Sequence, residues 1–126
     1  MSSHPRALLL RTDGSFELLA SGARIDLNIL YRALGCSNIA AVEITADLTM
    51  WRGDEAFCSG APVNRPATLL YAAHREPHRL YHGHAVITGG HDRHGAVLGL
   101  TEDQLRALVE NHLMTVDAEI PTQRTK

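Results

Sequence analysis

Asp13-Gly14 separates two short apolar runs, Arg6 to Arg11 and Phe16 to Ser21, and no other local feature constrains this chain more tightly. Asp-Gly readily adopts the backbone angles of a tight hairpin turn, so the two runs are expected as adjacent antiparallel strands. A helix follows in the pattern. Asp26 is placed to cap it, Leu27, Leu30, Tyr31 and Leu34 recur at three- and four-residue spacings, and Gly35 closes it. That face is predicted to pack onto the hairpin.

From Asn38 to Arg52, β-branched and apolar residues alternate loosely with Glu43, Thr45, Asp47 and Thr49. The pattern fits two strands joined near Ala46-Asp47, or one long bent strand. Gly53-Asp54-Glu55 turns the chain, and Phe57 to Pro62 reads as an irregular loop. Asn64 then caps a second helix with Pro66 in its first turn. Leu69, Leu70 and Ala73 form its buried face, and Glu76-Pro77 ends it. Gly83 to Gly89 is the clearest strand pattern; Gly89 to Gly95 is expected to return the chain into Ala96 to Leu100 as a second central strand. Thr101-x-x-Gln104 has the form of a capping box, followed by a stripe of Leu105, Leu108, Val109 and His112 or Leu113. The expected fold is α+β, a mainly antiparallel sheet of about five or six strands with about three helices packed on one face. Residues 1–114 would form a single domain and residues 115–126 a flexible C-terminal tail.

At 126 residues the chain is long enough for one core without disulfides or structural metal. A net charge of -2 supplies no basic footprint for a phosphate backbone, which argues against nucleic-acid binding. Cys36 and Cys58 are the only cysteines, and no apolar stretch matches a signal core or a membrane span. A soluble, cytoplasmic protein with free thiols is expected.

Histidine invites a chemical reading. Six of the eight, His74, His78, His82, His84, His91 and His94, fall in one short region. Imidazole is a common transition-metal ligand. His82 and His84 stand two apart in an expected strand, so both would face one way, with His91 and His94 in the adjoining loop. These four are the candidate metal set, for zinc or a similar ion, with Asp92 or Asp54 as a nearby carboxylate. Against this, no familiar ligand spacing accompanies them. Cys58 and Ser59 precede a helix, where a thiol would be activated, but both read more simply as packing and turn residues. The glycines from Gly83 to Gly99 lack the lysine and hydroxyl of a phosphate loop and read as hairpin punctuation. Trp51 reads as packing. Arg65, beside the Asn64 cap, could hold an anion at the helix start, but reads more simply as a surface arginine.

Four motifs in order carry a family resemblance: the Leu-rich first strand ending in Arg-Thr-Asp-Gly, then Gly60-x-Pro62-x-Asn64-x-x-Ala67-Thr68, then Gly83-x-Ala85-Val-Ile-Thr-Gly89, then Gly99-Leu100-Thr101-x-x-Gln104. Together they resemble domain-of-unknown-function family 3846, found in actinobacteria, other bacteria and their phages. The resemblance runs from about Ala7 to Leu108 and implies no reaction. In that family the asparagine matching Asn64 is the most characteristic polar position. The segment Glu55-Ala-Phe-Cys-Ser59 and the histidine cluster depart from the family pattern.

Three functions follow as alternatives. The first is an accessory or binding protein of mobile-element or phage type, without a catalytic motif. It would hold a protein partner or small ligand between the Asn64 helix and the Gly83 to Leu100 hairpin, with Asn64, Arg65, Thr68 and Thr88 as candidate contacts. The second is a small hydrolase-like metal enzyme using His82, His84, His91 and His94. The third is a structural homodimer pairing by a strand edge or by the helix carrying Leu105 and Leu108.

Overall fold

The structure, a computed structural model, describes residues 4–22, 24–36, 38–54, 60–75 and 80–115. Glu55, Cys58, Ser59, Glu76-Pro77, His78 and the expected tail beyond Thr115 lie outside the described residues. β1 (His4–Leu10) and β2 (Phe16–Ser21) form the expected hairpin, with Gly14 at φ 91° in its turn. β3 (Ile39–Thr45) and β4 (Leu48–Gly53) form a second, closed at Ala46-Asp47, where the Thr45 hydroxyl accepts from the Asp47 N–H at 3.1 Å. This settles the choice between two strands and one bent strand.

The two hairpins are joined by β5 (Ala85–Thr88), which inserts between β1 and β4. The described sheet has the order β2-β1-β5-β4-β3 and is antiparallel throughout. β5 is buried on both faces, which explains its continuous apolar run. Both of its edges are occupied, so Ala96 to Leu100 cannot pair beside it as the expected second central strand. That segment instead folds back over the end of the sheet. Leu98 exchanges backbone hydrogen bonds with Gly89 and Gly90 at 3.0 and 2.8 Å, and the Leu100 N–H reaches the Arg6 carbonyl, freed by an irregularity in β1, at 2.7 Å.

Alternation along the strands divides the core in two. Leu8, Leu10, Met50 and Ile87 face α2 (Arg65–His74) and α3 (Glu102–Thr115), which contribute Ala67, Leu70, Tyr71 and Leu108. Ala7, Leu9 and Val86 face the other way, toward Ile25 and Leu30 of the segment leading into and through α1 (Leu27–Leu34). The helices therefore cover both faces, where one face was expected. The physical reason is that a doubly buried central strand needs apolar cover on each side. α1 keeps its predicted limits, with the Asp26 carboxylate accepting from Asn28 N–H at 2.9 Å and Gly35 left-handed at its end. Its buried line runs through Leu30, Ala33 and Leu34, leaving Leu27 and Tyr31 exposed. In α2, Ala73 is exposed and Tyr71 takes the expected inward place, edge-on to Tyr81 at 5.1 Å. The Arg52 guanidinium lies 5.7 Å from the Tyr81 ring centre, a favourable cation–π placement. The Thr101–Gln104 capping box forms as expected, at 2.9 and 3.1 Å. Leu108 is buried and Leu105 half-buried against the sheet, so the α3 face considered for dimerisation is spent inside the fold. No helix among the described residues is long and apolar enough to cross a membrane.

The turn after β5 depends on close backbone approach. A Cβ on Gly89 would lie 2.8 Å from the Gly99 carbonyl oxygen, and one on Gly90 would run into the Ala46 carbonyl. Gly90→Ala is expected to cost about 2 kcal/mol or more, because both sides of the clash are backbone. Gly22→Ala, whose nearest neighbour would be 3.9 Å away, should stay within about 0.5 kcal/mol. Urea unfolding of the two variants checks the contrast.

Candidate functional site

Asn64 is the best-connected polar residue of the sequence-predicted set. Its side-chain oxygen accepts from the Ala67 N–H at 3.1 Å, capping α2, and its amide donates to the carbonyls of Leu10 at 2.8 Å and Gly83 at 2.9 Å. Its own N–H donates to Tyr81 at 2.7 Å. With 0% exposure, its side chain has no donor left for a ligand. Thr68 is equally buried, accepting from the Tyr81 N–H at 2.9 Å. Thr88 accepts from the Trp51 indole N–H at 2.9 Å and donates to the Gly89 carbonyl at 3.1 Å. These three residues are framework, their side chains bonded within the protein. Arg65 is half-buried with its Nε unpartnered, and borders a shallow hollow of about 320 Å³ with Thr12 to Gly14.

The candidate metal histidines are not brought together. Gly83, at φ 82°, breaks the strand alternation on which their shared face depended. His82 Nδ1 therefore donates to the Ala61 carbonyl at 2.9 Å, while His84 Nδ1 accepts from the Thr12 N–H at 3.3 Å. His91 is exposed, its ring 6.4 Å from that of Trp51, and His94 is exposed in the following turn. Among the described residues no group of three or more His, Cys, Asp or Glu side chains is placed to hold a metal ion. Asp92 works as a turn former: its carboxylate accepts from the His94 and Ala96 N–H groups at 2.8 and 2.9 Å and lies 3.5 Å from Arg24. Asp54 is exposed, its N–H bonded to Asn38.

A groove opens on the opposite face of the sheet, beside α1. Asn64 ties the end of β1 to the start of β5, and the residue after each tie, Arg11 and His84, lines an open groove of about 580 Å³. Its apolar lining comes from Leu9, Leu19, Ile29 and Ala33. Its polar lining is Arg11, Glu17, Arg32 and His84. Arg11 and Glu17 form an ion pair across the hairpin, whereas Arg32 has no ion pair among the described residues. Because neutral His84 accepts at Nδ1, its proton sits on Nε2 as a donor. The sequence reading missed this groove. The only available signal was that Arg11 and Glu17 flank one turn, and Ile29, Arg32 and Ala33 share one helix face.

The chain is thus a small α+β domain with a donor-lined groove between a helix and an edge hairpin. It belongs to the family described as Domain of unknown function (DUF3846), whose model matches residues 5–113. Neither the curated proteins nor the solved structures include a match to it.

Asn64→Ala should cost about 3 kcal/mol, since it strands a buried carbonyl, a half-buried one and a helix N–H. Asn64→Asp should cost at least as much, because it keeps the cap but sets a carboxylate against the Leu10 and Gly83 oxygens. Chemical denaturation measures both. The Ala96 N–H, with help from His94 and Arg24, holds the Asp92 carboxyl below its ordinary value, and the Ser15 hydroxyl and N–H do the same for Asp13. Stability from a depressed carboxyl is present at neutral pH, declines as pH falls toward the ordinary value of 3.8, and vanishes below the folded value. Asp92→Asn should therefore flatten the acid limb of a stability–pH curve measured from neutral pH downward.

Proposed function

We propose that this protein is a non-catalytic accessory protein of mobile-element or phage type that holds a small ligand in the groove between α1 and the β1–β2 hairpin. The observation that carries the binding reading is the groove itself: about 580 Å³, lined by apolar residues together with Arg11, Glu17, Arg32 and His84. Ligand sites are commonly concave, mostly apolar and furnished with a few orienting polar groups, within a volume range of roughly 300–1,000 Å³. The mobile-element or phage setting follows from the family resemblance alone.

The site named here differs from the one suggested by sequence, beside the Asn64 helix. Asn64 and Thr68 use their polar atoms inside the protein, whereas Arg11, Arg32 and His84 line open space. Asn64 then contributes as a positioning residue, through the strand ends that carry Arg11 and His84.

A fragment screen by NMR on the full, isotopically labelled chain tests this reading. Binding should perturb the amides of Leu19, Ile29, Ala33 and His84 as one contiguous set. A ligand at about a hundredfold above its Kd should also raise stability by about 2.7 kcal/mol. Perturbations scattered over the surface, or absent for every fragment, would sink the proposal.

A further inference from the structure

We infer that the groove selects organic anions, an apolar body bearing a carboxylate or phosphate, and that Glu17 occupies the anion's place when the groove is empty. This rests on the groove being a binding site, as proposed above, and adds the chemistry of the ligand.

The groove offers two guanidinium groups, Arg11 and Arg32, and the Nε2–H of neutral His84. Guanidinium groups have donors and no acceptors, and they remain charged throughout the working pH range. Glu17 is the one carboxylate of the lining, and it is already engaged with Arg11. A neutral ligand would leave the charge of Arg32 uncompensated, while a cation would face two like charges. An oxyanion can accept from Arg32 and from His84, and the planar fork of Arg11 suits a carboxylate or phosphate in two-point contact.

The Arg11–Glu17 pair is the adjustable part. Glu17 sits on the edge strand β2, with its side chain 52% exposed. An exposed ion pair is worth roughly 1 kcal/mol or less, so an incoming oxyanion can replace Glu17 at modest cost. Glu17 thereby acts as an internal competitor. The apolar floor of Leu9 and Leu19 supplies the contact that distinguishes an organic anion from an inorganic one.

The experiment is an NMR titration of the full chain with benzoate, phenyl phosphate and, as neutral isostere, benzamide. Benzoate or phenyl phosphate should shift the His84, Ala33 and Leu19 amides to saturation, and benzamide should bind about tenfold more weakly, as expected when a charged acceptor is lost. Glu17→Gln should tighten the anions severalfold and benzamide by less. Arg32→Gln should weaken the anions by about tenfold. The spectra of the variants report at once whether each is folded. If benzamide and benzoate bind the groove equally, or the two variants leave anion affinity unaltered, the anion inference is overturned while the binding reading stands. If none of the probes moves the groove amides, both are overturned. Comparison of benzoate with phenyl phosphate shows which oxyanion the groove prefers.

Discussion

The rest of the structure depends on the side-chain amide of Asn64. Its two N–H groups span the carbonyls of Leu10 and Gly83, where the ladder between β1 and β5 runs out, while its oxygen starts α2. One buried residue thus joins a helix to two strands that are remote in sequence. It is costly to replace because several backbone groups would lose their partners in a dry environment. On the other face, Arg11 and His84, the residues that follow the two tied carbonyls, line the groove.

β5 extends this logic through the sheet. Its four residues pair on both edges and pack on both faces, so the hairpins on either side are held to one another through it. Closed edges exclude Ala96 to Leu100 from the ladder and send that segment across the end of the sheet, where Gly89 and Gly90 allow backbones to touch. The outer strands β2 and β3 retain open edges among the described residues. β2 carries Glu17 at this less restrained border, and the Arg11–Glu17 pair reaches from the edge strand to its inner neighbour.

Much of the local structure was legible in the sequence. The Asp13-Gly14 hairpin, the Asp26 and Asn64 caps, the Gly35 stop and the Thr101–Gln104 capping box all appear at the residues read for them. Each depends on interactions within a few residues. The site was less legible. Thr68 and Thr88 look on sequence like polar ligand contacts, yet they bond Tyr81 and Trp51, partners 13 and 37 residues away. The histidines look clustered because the chain is short there, but a single left-handed glycine directs His82 and His84 to different partners.

By itself, the sequence determined the elements, their caps and their turns, because those are local hydrogen-bonding and conformational preferences carried by consecutive residues. Only the tertiary structure decided that β5 lies between two hairpins, that helices cover both faces, and that Arg11, Glu17, Arg32 and His84 share one groove. Those outcomes rest on which strand edges pair and which faces are buried, contacts between segments tens of residues apart that no local pattern encodes.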